Sequence, residues 1–314
     1  MATNRRKFIK QIAGLGAGIT GFTLLDKSAW AGAGANPFFE ISLAQWSLNK
    51  ALFSKKLDNL DFPAKAKNDF GISVVEYVNQ FFKDKATDTA YLNELLKRCN
   101  DNGVKNHLIM CDGEGDMGST NDAERTKAVE NHYKWVDAAK HLGCITIRVN
   151  AAGKGSREDV ANAAVDGLSR LGEYAEKAGI NVIVENHGGY SSDGQWLSGV
   201  MKKINRKNVG TLPDFGNFCI RHEENNWNNC LESYDRYKGT KELMPYAKGV
   251  SAKTHDFDEK GDCVETDYYR IMKIVKDSGF KGYVGIEYEG PRLSEDEGIR
   301  KTKALLEKVG AALA

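Results

Sequence analysis

The sequence predicts an α/β protein with the (β/α)8 TIM-barrel architecture. Eight short apolar runs alternate with longer amphipathic segments, which is the pattern of parallel strands connected by helices. Four helical segments end on a glycine directly before a strand candidate, as a C-cap with positive φ requires: Gly103, Gly143, Gly179 and Gly279. The alternative is an open doubly wound sheet, but no GxGxxG or GxxxxGK motif follows any strand candidate.

The first 31 residues have the pattern of an export signal. The stretch NRRKFIK at residues 4–10 is a twin-arginine motif, a glycine-rich apolar run follows at 12–25, and Ala29-Trp30-Ala31 fits a cleavage site. The apolar run is too short to span a bilayer core of about 30 Å as a helix, so we expect cleavage rather than an anchor. We predict a periplasmic protein with a twin-arginine signal at 1–31 and one TIM-barrel catalytic domain at 32–314.

After this segment the strand candidates follow in order. They are 40–46, 73–78, 106–110, 145–149, 182–185, 209–213, 249–254 and 283–287. The helical patterns between and after them include 91–96, 129–141, 160–178, 196–204, 268–277 and 295–313. In a β/α barrel the side chains at the C-terminal ends of the strands surround a common mouth, so candidate site residues should lie there.

Length and charge restrict the class of protein. Residues 32–314 number 283, slightly more than a typical barrel of about 250. The whole chain has a formal charge of +1; because residues 1–31 hold five basic residues and one acidic residue, the remainder has a charge of −3. This balance argues against a nucleic-acid partner. The six cysteines form no CxxC pair, and a disulfide between Cys219 and Cys230 is left open by the sequence.

Four residues near the ends of successive strand candidates suggest a metal site. They are Glu185, Asp214, His255 and Glu287, separated by 29, 41 and 32 residues. Each interval is long enough for a helix to return the chain to the next parallel strand, so the four side chains should emerge at the same end of the sheet. Carboxylate and imidazole donors suit one divalent ion, namely Mn²⁺, Mg²⁺, Co²⁺ or Zn²⁺.

The chain resembles the xylose isomerase-like barrel superfamily, in particular the sugar phosphate isomerase/epimerase group with ketose 3-epimerases and inosose-pathway enzymes. The resemblance covers residues 38–310 and rests on Glu185-Asn186-His187, on Asp214 to Asn217, on Ser251 to Asp256 and on Gly285-Ile286-Glu287. It implies that a Glu, an Asp, a His and a second Glu from strands 5 to 8 bind one divalent metal. It also implies that the two glutamates move the proton.

The seventh strand departs from the family pattern. Family members often place a His two residues before a Lys, and here Ser251 stands in that position before Lys253. Because strand side chains alternate, Ser251, Lys253 and His255 share one face, and His255 lies nearest the mouth. We therefore predict His255 as the ligand, with Ser251, Lys253 or water at that side of the site as the alternative.

These residues predict a divalent-metal-dependent sugar isomerase or epimerase. A metal that holds the carbonyl and hydroxyl oxygens of a sugar acidifies the neighbouring C–H, and a carboxylate can remove that proton to give a metal-stabilised enediolate. Glu185 and Glu287 are the predicted acid/base pair, because strands 5 and 8 could place them on different sides of the substrate.

Further residues are predicted to bind the carbohydrate substrate: Arg148, His187, Asn217, Lys253, Trp46 and Glu76. Arg148 near an apolar strand end should reach substrate oxygens, with pairing to a structural acid as the alternative. His187 shares the parity of Glu185, and Trp46 could stack on a sugar ring or cap the core. Glu76 could bind a hydroxyl or form a buried ion pair, and Lys253 could bind an oxyanion or neutralise an acid.

Other functions remain open on the same scaffold. A lyase or dehydratase acting on a keto-sugar or keto-glycoside would use the same residues, with expulsion of a β-substituent instead of reprotonation. A non-catalytic sugar-binding barrel would not need the paired glutamates, and a nuclease of this fold would need more histidines near strand ends. We expect a small-molecule carbohydrate ligand and no stable membrane insertion after signal cleavage; a homo-oligomer is left open.

Overall fold

The computed structural model describes residues 37–224 and 226–314, so the predicted export signal at 1–31 lies outside the described residues. Within the described residues the strands, numbered in chain order, are β1 Glu40–Ala44, β2 Val74–Val78, β3 Lys105–Met110, β4 Thr146–Val149, β5 Asn181–Glu185, β6 Val209–Leu212, β7 Cys219–Glu223, β8 Asn226–Ser233, β9 Val250–Thr254 and β10 Tyr283–Tyr288.

The helices cover the outside of the sheet and include every predicted helical segment. They are α1 Asn49–Phe53, α2 Phe62–Phe70, α3 Thr89–Asp101, α4 Asp122–Leu142, α5 Arg157–Ala178, α6 Gly194–Ile204, α7 Arg236–Leu243, α8 Tyr268–Asp277 and α9 Glu295–Leu313. Among the residues described, no helix has both the length and the apolar character needed to cross a membrane.

Eight of the strands form one parallel sheet in the order β6-β5-β4-β3-β2-β1-β10-β9. The two edge strands meet through isolated parallel bridges, Thr211 with Ala247 and Asp214 with Ser251. Three backbone hydrogen bonds cross this seam, from Lys248 N to Thr211 O, from Ser251 N to Pro213 O and from Phe215 N to Ser251 O. The sheet therefore curls round on itself, and the predicted (β/α)8 barrel is confirmed.

Local sequence explains where the helices begin and end. The Asn121 side chain accepts hydrogen bonds from the first-turn amides of α4, and Ser294 with Glu297 forms a capping box at α9. The four predicted C-cap glycines have positive φ: Gly103 at 62°, Gly143 at 74°, Gly179 at 76° and Gly279 at 78°.

The core has two parts because strand side chains alternate between faces. Ile109 packs in the large cluster between sheet and helices, whereas its neighbours Leu108 and Met110 belong to a smaller cluster that includes Ile183 and Leu212. The small cluster comes from the opposite strand face and fills the inside of the barrel, which leaves the strand ends free for polar residues.

An antiparallel hairpin of β7 and β8 is inserted between β6 and α7. A disulfide joins Cys219 to Cys230 across it, so the pairing that the sequence left open is formed. The four remaining cysteines are free and buried: Cys99, Cys111, Cys144 and Cys263.

Candidate metal centre

Three carboxylates converge at the mouth of the barrel. Glu185 is the last residue of β5, Asp214 follows the end of β6, and Glu287 lies near the end of β10. One oxygen from each lies within 4.8 Å of the others, and all three side chains are buried. We call Glu185, Asp214 and Glu287 the acid triad.

The loop that carries Asp214 is fixed by the motif residue next to Glu185. The Asn186 side-chain amide donates to the carbonyl oxygen of Asp214 at 3.0 Å and accepts from its backbone N–H at 2.8 Å. Asp214 Oδ1 in turn accepts from the backbone N–H groups of Gly216 and Asn217, each at 2.8 Å. Oδ2 is therefore the Asp214 oxygen that faces the rest of the triad.

Glu185 lies between an amide and a guanidinium. Asn217 Nδ2 donates to Glu185 Oε1 at 2.9 Å, and Arg148 Nε lies 2.9 Å from Oε2. The same guanidinium donates to Asp112 Oδ1 at 2.6 Å. Arg148 thus pairs with acids, the alternative raised by the sequence, while its role in substrate binding stays a prediction.

Ser251 and Lys253 on β9 lie between Asp214 and Glu287. The Ser251 hydroxyl is 2.6 Å from Asp214 Oδ2 and 2.8 Å from Glu287 Oε2. Lys253 Nζ lies 3.4 Å from Glu287 Oε1, 3.3 Å from Glu289 and 3.1 Å from Asn217 Oδ1. Lys253 therefore neutralises acids, one of the two roles predicted for it.

Burial and charge separate the pKa values of the triad. Desolvation raises the pKa of Glu185 to about 7, an effect that Arg148 partly opposes. Desolvation likewise raises the pKa of Asp214 to about 7, against the attraction of Lys253. Burial acts in the same direction on Glu287, but Lys253 and the Ser251 hydrogen bond outweigh it and lower its pKa.

Glu76 on β2 is a fourth buried carboxyl close to the triad. It is 1% exposed; its Oε1 accepts from Ser42 Oγ at 2.5 Å, and its Oε2 has no hydrogen-bond partner among the described residues. Desolvation raises the pKa of Glu76 to about 8, and the charges of Glu287 and Glu185 add to the shift. Its role as a substrate ligand stays a prediction.

His255 does not lie with the triad in this structure. It comes just after the last residue of β9, its side chain is 39% exposed, and its Nε2 is 4.0 Å from the Glu289 carboxylate. The group of potential ligand atoms found in the described part of the chain contains only the three carboxylates. The ligand role of His255 therefore stays a prediction, and Ser251 lies at that side of the site.

A cavity of about 710 Å³ opens at the mouth. One side is polar, with Arg148, His187, Asn217, Lys253 and Glu287 among its lining residues. The apolar lining residues are Trp46, Val78 and Met110, and the polar Gln80 and Asp112 follow the last two of them along the chain. Five of the six predicted substrate-binding residues line the cavity, and Glu76 is not among its lining residues.

Trp46 lies in the 3₁₀ helix Gln45–Leu48 rather than at the end of β1. Its ring packs edge-on against Phe53, with centroids 6.0 Å apart, and lies 6.2 Å from Phe81. Phe53 is 56% exposed, so this aromatic cluster reaches the solvent, and Trp46 is its member that lines the cavity.

Sequence reasoning missed four contributors to the site. The residues are Asn186, which fixes the Asp214 loop, Asp112 and Glu289, which pair with Arg148 and Lys253, and Ser42, which donates to Glu76. Of these, only Asn186 could have been found from the sequence, because it lies in the motif Glu185-Asn186-His187. The other three are identified only by their contacts in the structure.

The residues present fit a divalent cation. Four buried carboxyls, Glu76 and the triad, lie near two buried cations, Arg148 and Lys253, which also pair with Asp112 and Glu289. The six acids exceed the two cations by four negative charges when fully ionised. An excess of charge in a buried site requires protons or a cation. Carboxylate oxygens that converge from neighbouring strands are ligands that divalent ions accept.

Comparison with known proteins identifies the fold family. The sequence profile of the family described as xylose isomerase-like TIM barrel matches residues 64–309. Among curated proteins, none matches the chain.

Solved structures share the fold at low sequence identity. A sugar phosphate isomerase/epimerase from Parabacteroides distasonis is 19% identical, with a TM-score of 0.64 over 91% of this chain and 98% of that chain. A xylose isomerase-like TIM barrel protein from Mycobacterium smegmatis in complex with magnesium is 15% identical, with a TM-score of 0.61 over 89% and 98% of the two chains. The IolI protein with a bound zinc atom is 16% identical, with a TM-score of 0.68 over 88% and 99%. From the matched profile, this chain belongs to the xylose isomerase-like TIM barrel family.

Proposed function

We propose that the protein is a divalent-metal-dependent sugar isomerase or epimerase. The observation that carries the proposal is the acid triad, in which oxygens of Glu185, Asp214 and Glu287 lie within 4.8 Å of one another at the barrel mouth. The structural relatives, one of them a sugar phosphate isomerase/epimerase, support the same class of activity. The predicted export signal supports a substrate met outside the cytoplasm.

The triad would hold the cation, and a bound divalent ion would polarise the sugar carbonyl and acidify the adjacent C–H. Glu287 and Glu185 come from β10 and β5, on either side of Asp214. One carboxylate removes the proton from carbon, and the other returns a proton to the opposite face or to the adjacent carbon. Return to the opposite face of the same carbon is epimerisation, and return to the adjacent carbon is isomerisation.

Neighbouring side chains position these groups. The side-chain amide of Asn217 connects Glu185 with Lys253, since its Nδ2 donates to Glu185 and its Oδ1 accepts from Lys253. Arg148 and His187 line the polar side of the cavity, where their N–H groups would bind sugar oxygens.

Solvent-deuterium exchange tests the proton transfer. A panel of ketoses and keto-glycosides is incubated in D2O with Mn²⁺, and incorporation of deuterium at carbon is followed by NMR. Glu185→Gln and Glu287→Gln should each abolish exchange, whereas Glu173→Gln on the exposed surface of α5 should retain it. Exchange that persists in both triad variants would contradict the acid/base assignment.

Elemental mass analysis tests the metal. The purified chain, offered Mn²⁺, Mg²⁺, Co²⁺ and Zn²⁺, should retain about one ion per chain, as expected for a single site. Asp214→Asn should retain almost none. Absence of metal from the unmutated chain would remove the mechanism and favour a sugar-binding barrel.

A lyase acting on a keto-glycoside is the second candidate, and the shape of the cavity favours it. Its volume of about 710 Å³ is in the range of roughly 300–1,000 Å³ that holds drug-sized ligands, and Trp46, Val78 and Met110 are among its lining residues. A free ketose can stack one C–H face on Trp46 but has no further apolar group to cover Val78 and Met110, whereas an apolar aglycone would cover them. With an aryl keto-glycoside, release of the phenol indicates elimination, and deuterium incorporation without release indicates isomerisation or epimerisation.

A further inference from the structure

The side of the triad between Asp214 and Glu287 is occupied by a hydroxyl. Ser251 is 1% exposed, lies on β9 opposite Asp214 in a parallel bridge, and has its Oγ within 2.8 Å of both carboxylates. A ligand from this strand to an ion held by the triad would therefore be an oxygen.

His187, His222 and His255 line the same cavity, but within the described part of the chain no nitrogen or sulfur ligand belongs to the group of converging ligand atoms. The His255 ring lies beyond the end of β9, close to Glu289, and is not in the group of converging ligand atoms. The free cysteines are also outside that group, and Cys219 and Cys230 are joined in their disulfide. The converging donors are thus three carboxylates and one hydroxyl.

The side-chain nitrogen that β9 places beside the triad belongs to Lys253. Lys253 Nζ lies 3.4 Å from Glu287 Oε1 and 3.9 Å from Asp214 Oδ2. Glu289 Oε1 lies 3.3 Å from the same Nζ, so Lys253 forms ion pairs with three acids. An ammonium group has three donors and no free electron pair, so it balances charge without binding metal.

We propose that this centre binds its cation through oxygen alone, and that the presence of Ser251 in place of an imidazole sets its metal preference. The inference rests on the proposed function only in requiring that the triad binds a divalent ion. Oxygen donors suit Mg²⁺ and Mn²⁺, which keep several water or substrate oxygens, whereas an imidazole in the same position would favour Zn²⁺. Mg²⁺ or Mn²⁺ is therefore the expected resident ion, with a zinc-to-manganese affinity ratio lower than an imidazole at position 251 would give.

Electron spin echo spectroscopy of the Mn²⁺-loaded chain tests the donor set directly. A coordinated imidazole gives a characteristic ¹⁴N modulation from its remote nitrogen. The unmutated chain should lack this modulation, and Ser251→His should show it. Any imidazole modulation in the unmutated chain would overturn the inference, and its loss in His255→Ala or in His187→Ala would identify the histidine that completes the site.

Competition dialysis with elemental analysis tests the preference. The zinc-to-manganese affinity ratio should rise about tenfold or more in Ser251→His, since imidazole favours the later metal. Ser251→Ala, which adds no nitrogen, should keep the ratio close to that of the unmutated chain. A ratio that is equally high in all three proteins would overturn the assignment of Ser251.

The outcomes separate this inference from the proposed function. If the Ser251→His chain does not fold, as judged by circular dichroism, the ¹⁴N spectrum of the unmutated chain still decides the donor set. Metal bound through imidazole contradicts only the oxygen-only centre. No metal bound at all contradicts the proposed function, and this inference with it.

Discussion

Replacement of Glu76 by glutamine should remove a pH-dependent loss of stability from the metal-free protein. Glu76 is buried, and desolvation raises its pKa from the ordinary value of 4.5 to about 8 in the folded state. An acid with a raised pKa stabilises the fold below its unfolded-state pKa, and this contribution is lost as the pH rises toward the folded-state pKa. Between these two pKa values, each pH unit lowers the free energy of unfolding by about 1.4 kcal/mol. Between pH 5.5 and pH 8 the loss is about 3 kcal/mol, with Glu76 half-ionised at the upper limit.

Urea unfolding in EDTA at both pH values measures this effect. Glutamine keeps the oxygen that accepts from Ser42 but does not ionise, so the difference in unfolding free energy between Glu76→Gln and the unmutated chain should grow by about 3 kcal/mol from pH 5.5 to pH 8. The other buried acids titrate in both proteins, so their contributions cancel in this difference except for the electrostatic coupling of Glu185 and Glu287 to Glu76. Glu173→Gln on the exposed surface of α5 is the control and should show no such growth. Parallel pH profiles for Glu76→Gln and the unmutated chain would refute the reasoning.

Two further predictions concern packing and the hairpin. Gly298→Ala in α9 should destabilise the protein by about 1–3 kcal/mol in urea unfolding, because a Cβ there would lie 2.2 Å from the Tyr288 ring. The control Gly199→Ala in α6, where nothing lies within 4 Å, should stabilise it by about 0.5–1 kcal/mol through helix propensity; stabilisation in both would show that the ring moves freely. Reduction of Cys219–Cys230 should increase proteolysis within β7 and β8 about 100-fold, since a disulfide closing a short loop contributes about 3 kcal/mol. The double serine variant should be cleaved rapidly with or without reductant, and equal rates for the oxidised and reduced chains would contradict the expectation.

The barrel strands could be predicted from the sequence because parallel strands are buried on both faces. Val182 to Val184 before Glu185 is such a run, and each predicted strand ends within two residues of the observed one. The helix α7 was not predicted, since its buried positions Gly239, Thr240 and Leu243 show no apolar period. The hairpin β7–β8 was also not predicted: its strands are polar, and its disulfide joins residues whose pairing the sequence could not decide.

The candidate site could be predicted as far as strand parity holds. Glu185 and Glu287 lie within their strands, so the alternation of side chains along a strand determines which face each of them occupies. His255 follows the last residue of β9, and beyond that point parity no longer determines the direction of a side chain. Which residue faces the triad from β9 depends on where the strand ends, and that depends on tertiary contacts rather than on local sequence.

The seam between β6 and β9 has a consequence for the mechanics of the barrel. Three backbone hydrogen bonds join these edges, so the sheet is closed there by fewer links than a full strand ladder provides. Asp214 belongs to one edge, and Glu287 lies on β10, which pairs with the other. An ion bound to both carboxylates would link the two edges of the sheet across this seam. Its binding energy would oppose local separation of β6 from β9, so the backbone amides of Phe215 and Ser251 would exchange with solvent more slowly when the metal is bound.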